Sequence, residues 1–381
     1  MSHTAQLGGA ELALGRLLGR ERVWQAALCA PPGGAFDGLP RHGVTLDESL
    51  PALPTGGTRG RSPVLAAQYL AALRAASRVL RRSAHFAGAD IIHANTAAAG
   101  IISALAVRGS GTRLVLHLRD LVTTESLGQF GYLAFTRIAL GRASGIIANS
   151  QTTLGSAHGL FPAGVPTAVL PSPIGIQRPA TPPTVRPTVR TIGMIGRLQH
   201  WKGQHIFLRA FADQFRGTDT RGLIAGAPLF GETAYAEELR RLAADLGIAE
   251  QVTFLGQIDD VAGFLDSIDL LVHASLRPEP LGQTVVQGLA RAKPVIATEG
   301  GGPSEWIRDG INGLLVVPGQ PEALAASMRK MADSPELRSA LTEGAMRTTG
   351  ILTDDECMTA HGDLFRQVWH ADPPTARRRS K

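Results

Sequence analysis

Residues 191–203 read Thr-Ile-Gly-Met-Ile-Gly-Arg-Leu-Gln-His-Trp-Lys-Gly. A short apolar run ends in Gly196 and Arg197, a polar turn follows, and an amphipathic pattern starts at Gln204. Strand, loop and helix in that order form the repeating unit of a doubly wound α/β sheet. Ligands of such sheets bind beyond the carboxyl ends of the strands, where helix N-termini present unpaired N–H groups. Arg197 and Lys202 flank the loop, so a planar fork and a point charge can be aimed at one anion. A diphosphate suits two convergent cations; two solvated loop charges are the plain alternative.

The same rhythm extends in both directions. Apolar runs at 90–93, 113–118, 145–149, 167–170, 222–225, 252–255, 269–273, 294–297 and 313–317 alternate with helical patterns at 63–86, 204–215, 234–246, 283–292 and 321–332. Runs buried on both faces and separated by helices describe parallel sheets built from right-handed crossovers. Six prolines between 171 and 187 interrupt the pattern. We read residues 1–172 and 189–352 as two α/β domains joined by a Pro-rich hinge at 173–188, with an amphipathic helix at 353–370 and a frayed tail at 371–381.

Length and composition agree. A chain of 381 residues with 44% hydrophobic residues is large enough for two cores. The balance of 38 basic against 32 acidic residues leaves a net charge of +6. The basic residues are scattered, so nucleic acid is not the expected partner. Arg20, Arg22, Arg74, Arg78, Arg81 and Arg82 cluster in the first quarter; peripheral membrane contact stays open there, although a solvated helix face explains them more simply. Cys29 and Cys357 have neither metal-ligand nor redox spacing. With no secretory leader or apolar span in view, a cytoplasmic setting is expected.

A second loop reinforces the first. After 269–273 comes Ala274-Ser-Leu-Arg-Pro-Glu279-Pro-Leu-Gly282-Gln-Thr284-Val285-Val-Gln287. In a strand-to-helix loop the Glu279 carboxylate can accept hydrogen bonds from sugar hydroxyls, while the N–H groups around Thr284 and Val285 face a phosphate. Gln287 falls on the first helical turn, toward the same crevice.

Together, Gly196-Arg-Leu-x-x-x-Lys-Gly203, the Pro-Glu-Pro-Leu-Gly stretch, Val252-Thr-Phe-Leu-Gly256 and Gly301-Gly-Pro-Ser-Glu305-x-x-x-Asp-Gly-x-Asn-Gly313 resemble glycosyltransferase family 4. Gly8-Gly9-Ala-Glu11, Asp90-Ile-Ile-His93 and Ile147-Ala-Asn-Ser150 resemble that family's amino-terminal motifs, so the likeness covers nearly the whole chain. The resemblance implies two Rossmann-like domains facing a central cleft, the GT-B fold, with retaining transfer of a sugar from a nucleotide-diphosphate donor. It implies that Arg197 and Lys202 grip the diphosphate and that Glu279 contacts the donor sugar. Gly8, Gly9, Gly196 and the amides of Gly282–Val285 would approach the phosphates. Gln287 stands where the family usually has a second Glu, thought to hold the ribose, so the charge-assisted bond is lost there. The family's reactive His aligns with Arg119, while His117 lies two residues earlier. Alternation along a strand puts both on one face; Arg119 is expected at acceptor or phosphate, His117 as a polar wall.

Three further expectations follow. No Asp-x-Asp motif and no His/Cys ligand cluster is visible in the spacing, so transfer without a metal or other cofactor is expected. The chain opens at the Gly8-Gly9 turn itself, so the first strand of the amino-terminal sheet is missing, which points to residues upstream of Met1 or a truncated gene. The acceptor could be a lipid, a polysaccharide or a small molecule. Gly193-Met-Ile-Gly196 lacks the dinucleotide-binding spacing of a dehydrogenase. The rival reading is a non-catalytic nucleotide-sugar binder or a partner subunit.

Overall fold

A computed structural model describes the chain except residues 5, 7, 35, 38–42, 55–62, 229–232 and 372–381. The tail expected at 371–381 thus lies almost wholly outside the described residues. The chain forms two compact units, Met1–Gly175 with Leu352–Lys381, and Ile176–Ile351.

The first unit contains β1 (Ala26–Cys29), β2 (Val44–Asp47), β3 (Ile91–Ala94), β4 (Arg113–Leu118), β5 (Gly145–Ala148) and β6 (Thr167–Val169). β3 to β6 form a parallel sheet in chain order, and β1 and β2 form a separate parallel pair. Between the two lies a slot whose end is occupied by the first residues. The Met1 amino group donates to the His93 carbonyl at 2.8 Å, Asn95 N–H donates to the Met1 carbonyl at 3.1 Å, and Ser2 N–H donates to the Cys29 carbonyl at 3.0 Å. That pattern is one step of a parallel ladder. Alongside it lies a cavity of about 1070 Å³, lined by Ala26 and Leu28 on one side and Ile91 and His93 on the other.

The helix Asp354–His370 begins with a capping box, Thr353 accepting from Glu356 N–H while Glu356 reaches back. It is anchored to the first unit by Asp354, which pairs with Arg20 at 3.0 Å and accepts from Gly175 N–H at 2.9 Å. Its apolar stripe, Leu364 and Val368, packs on Val115 and Ile147 of the sheet. Cys29 and Cys357 are buried and free. Of the arginine cluster, Arg20 is spent on this anchor and Arg81 donates to the Arg108 carbonyl. Among the described residues no helix is long and apolar enough to cross a membrane.

The second unit contains β7 (Thr191–Ile195), β8 (Arg221–Ala225), β9 (Val252–Gly256), β10 (Leu270–His273), β11 (Val295–Thr298) and β12 (Leu314–Val316), in the parallel order β12-β11-β10-β7-β8-β9. This is the doubly wound order, with its topological switch between β7 and β10. Every residue of β10 and β11 is buried, which is why both read as continuous apolar runs. Phe207, Phe211 and Phe215 form one stripe of the helix Gln204–Phe215 and enter the core with Ile192, Ile224 and Val272. The two units are therefore both Rossmann-like α/β domains, as the sequence rhythm indicates.

Candidate active site

The switch point fixes where a ligand can enter the second unit: beyond the carboxyl ends of β7 and β10. The loop after β7 runs through a single helical turn, His200–Lys202, into the helix Gln204–Phe215. Its backbone is held from below by Gln204, fully buried, whose amide donates to the Arg197 carbonyl at 2.7 Å. Gly203 makes the corner at φ 76°, and a Cβ there would lie 1.9 Å from the Ala274 carbonyl oxygen. Only glycine allows the two loops to come so close. Leu276 N–H donating to the Trp201 carbonyl at 2.7 Å completes the junction.

That junction brings together side chains far apart in sequence. The Lys202 ammonium, stacked over the Trp201 ring at 4.3 Å, donates to Glu279 Oε1 at 2.6 Å. His273 Nε2, at the end of β10, lies 2.8 Å from the same oxygen, and the Ser275 hydroxyl donates to it as well. Thr298, at the end of β11, donates to the Ser275 carbonyl at 2.8 Å and faces His273 Nδ1 at 3.3 Å. Burial by itself would raise the Glu279 carboxyl, but the charges of Lys202 and His273 outweigh it and hold the group well below its ordinary value. Glu279 is thus an ionised carboxylate with one oxygen crowded by donors. Its main chain is tied by Gly302 N–H donating to its carbonyl at 2.8 Å.

Gly282, at φ 73°, caps the helix Gln283–Ala290. The first N–H groups of a helix have no partner within it, and at the switch those of Thr284 and Val285 belong to this set; the burial of Val285 leaves Thr284 as the one of the two within reach of a ligand. Val285 itself is fully buried, and so is most of Gln287, at 4% exposure. Arg197 and Gly196 follow β7 directly. The contacts described above join Lys202 to Glu279; the Arg197 carbonyl is fixed by Gln204, in the same loop. The sequence reading named Lys202 and Glu279 but missed His273, Ser275 and Thr298. The one signal for His273 is a histidine closing an otherwise apolar strand directly before the loop.

In the first unit, Gly8 precedes the helix Gly9–Leu18, and a Cβ on Gly9 would meet nothing within 4 Å. Arg119 follows β4 and is buried, its guanidinium donating to Asn95 Oδ1 at 2.8 Å and to Ser172 Oγ at 2.9 Å. Its Nη2 is buried without a hydrogen bond among the described residues. Burial lowers the guanidinium pKa to about 10, with Glu11 and Asp120 acting in the opposite sense. Asn95 also holds the Ala10 carbonyl at 3.0 Å, so Arg119 and the start of the Gly9–Leu18 helix share one polar frame. His117 does not face solvent. It is 2% exposed, beneath the helix Asp354–His370, with Nδ1 3.1 Å from Nε2 of His93.

Two family models match the chain: "Glycosyltransferase Family 4" over residues 30–178 and "Glycosyl transferases group 1" over residues 182–348. A lipopolysaccharide core biosynthesis glycosyltransferase, LpsE of Rhizobium meliloti, is 31% identical over 181 residues, covering 47% of this chain and 49% of the relative. The lipopolysaccharide core biosynthesis mannosyltransferase LpcC of Rhizobium leguminosarum bv. viciae is 26% identical over 226 residues, covering 58% of this chain and 64% of the relative. The chain thus spans about half of the first relative's length and just under two thirds of the second's. Among solved structures, Anabaena Alr3699/HepE in complex with UDP-glucose superposes with a TM-score of 0.77 at 24% identity, over 96% of this chain and 98% of that one. That likeness is one of fold.

Proposed function

From a chain that belongs to the glycosyltransferase family spanned by those two models, we propose an enzyme that moves a sugar from a nucleotide-diphosphate donor to an acceptor with retention at the anomeric carbon. The observation that carries this reading is the Lys202–Glu279 pair at 2.6 Å, set at the switch point beside the N-terminus of the helix Gln283–Ala290.

Breaking a sugar–diphosphate bond places negative charge on the departing oxygen and positive charge on the anomeric carbon. Lys202 and Arg197 are assigned to the diphosphate, where a preorganised cation acts most strongly in the transition state. The N–H group of Thr284, in the first turn of that helix, adds a neutral donor. Glu279, kept ionised, accepts hydrogen bonds from donor-sugar hydroxyls through the oxygen that Lys202 and His273 leave open. The positive charge of this set is the reason to assign a reaction without an added divalent ion. Retention follows most simply from acceptor attack on the face that the diphosphate leaves, a phosphate oxygen taking the proton. The relatives act in lipopolysaccharide core synthesis by name, and HepE holds UDP and UDP-glucose, so a UDP- or GDP-hexose and a lipid-linked or polysaccharide acceptor are the first to try. A cytoplasmic enzyme with peripheral membrane contact would meet such acceptors.

The test is release of nucleoside diphosphate from a panel of nucleotide sugars, with and without lipopolysaccharide-core or polysaccharide acceptors. Turnover without added Mg²⁺ or Mn²⁺, and an α-linked product from an α-linked donor by NMR, are expected. Nucleotide binding without turnover toward any donor would favour the rival reading of a non-catalytic binder.

A further inference from the structure

His93, His117 and His361 share no ligand spacing in sequence, yet the fold brings one ring nitrogen from each to within 4.8 Å of the others. β3 and β4 pair with His93 opposite Val115, and His117 lies two residues further along β4. Both imidazoles therefore stand on the sheet face covered by the helix Asp354–His370. That helix lowers His361 between them, with ring centroids 5.9 Å from His93 and 5.6 Å from His117. His93 Nε2 and His117 Nδ1 are 3.1 Å apart, close to the separation of two nitrogens bound to one tetrahedral ion at about 2.0–2.1 Å each.

The hydrogen bonds set the chemistry. His361 Nδ1 lies 2.7 Å from the Cys357 carbonyl. A carbonyl only accepts, so Nδ1 carries the proton and Nε2 presents a lone pair. This is the backing that fixes a metal-binding histidine in its tautomer. His361 Nε2 is buried with no hydrogen-bond partner among the described residues, an arrangement that interiors rarely leave unexplained. His93 also lines the 1070 Å³ cavity, so one edge of the cluster borders open space.

We propose that His93, His117 and His361 form a three-imidazole site for a borderline divalent transition metal, zinc foremost, which fastens the helix Asp354–His370 to β3 and β4. Imidazole suits such ions and three nitrogens leave one coordination position open. The site is independent of the transferase reading.

The metal-free protein is titrated with Co²⁺ as a spectroscopic probe, and with Zn²⁺ during thermal unfolding. One equivalent of Co²⁺ with the intense visible bands of a four-coordinate ion, and a higher unfolding temperature with Zn²⁺, are expected. Both should vanish in His361→Phe and in His93→Gln, and persist in the control His158→Gln. Absence of stoichiometric binding by the wild-type chain, or binding unchanged in both variants, overturns the site. If the variants do not fold, X-ray absorption of the zinc-loaded wild type decides: three imidazole ligands support the site, fewer than three overturn it.

Discussion

The ammonium of Lys202 and the carboxylate of Glu279 meet at 2.6 Å across 77 residues of sequence. The pairing follows from topology. β7 and β10 are neighbours at the point where the strand order reverses, so the loops that leave their carboxyl ends share one crevice. Lys202→Ala removes the cation assigned to the leaving diphosphate. Turnover of the best donor should fall on the order of tenfold to a thousandfold, the range for one transition-state charge contact. Steady-state kinetics at saturating acceptor read this, and a wild-type rate would reject the role.

Glu279 links the site to stability. Its carboxyl is held well below the ordinary value in the folded chain, so the unfolded chain takes up the proton first. The resulting stabilisation is fully present above the ordinary carboxylate pKa, about 4.3, and is lost as pH falls from there through the folded value. Denaturant unfolding at pH 7 and at lower pH should show a steeper loss for the wild type than for Glu279→Gln. Parallel slopes in the two proteins would show that Glu279 is not the group responsible.

Gly203→Ala tests the corner between the loops. At φ 76°, with a Cβ only 1.9 Å from the Ala274 carbonyl oxygen, any side chain combines backbone strain with a clash. A loss of at least about 1–3 kcal/mol is expected, together with weaker nucleotide binding. Gly9→Ala, where a Cβ meets nothing within 4 Å, should leave the unfolding temperature nearly unchanged. Equal stability losses in the two variants would contradict this steric account.

Gln287 stands where the family resemblance places a carboxylate. Gln287→Glu should leave nucleotide affinity intact or raise it, as judged by calorimetric titration, because a carboxylate accepts more strongly from ribose hydroxyls. Loss of binding would show that this helix position does not meet the ribose.

Much of this was legible in the sequence because strands buried on both faces cannot hide. All ten apolar runs became β3 to β12 with ends shifted by at most a residue. β1 and β2 escaped notice because each is only four residues long: Ala-Ala-Leu-Cys is a brief apolar run and Val-Thr-Leu-Asp a brief alternation, both too short to stand out from the loops around them. Lys202 and Glu279 could be named because the switch-point rule concerns loops, and loops are visible in sequence. Their partners could not. His273 reaches Thr298 only through the parallel register of β10 on β11, where His273 lies opposite Ala297. The depth of His117 was hidden for a similar reason. Its strand face is readable from alternation, but the helix that covers it comes from the far end of the chain. That same helix supplies His361, so the three-histidine cluster has no signature in local spacing.

The most direct test of the donor site is a pair of calorimetric titrations, a nucleoside diphosphate against the corresponding nucleoside, on the wild type and on Lys202→Ala. UDP, GDP and ADP are tried to find the base that binds. The wild type should bind the diphosphate far more tightly than the nucleoside, and the variant should lose most of that difference while keeping its affinity for the nucleoside. An undiminished preference for the diphosphate in Lys202→Ala, or no binding of any of the three by the wild type, would contradict the assignment.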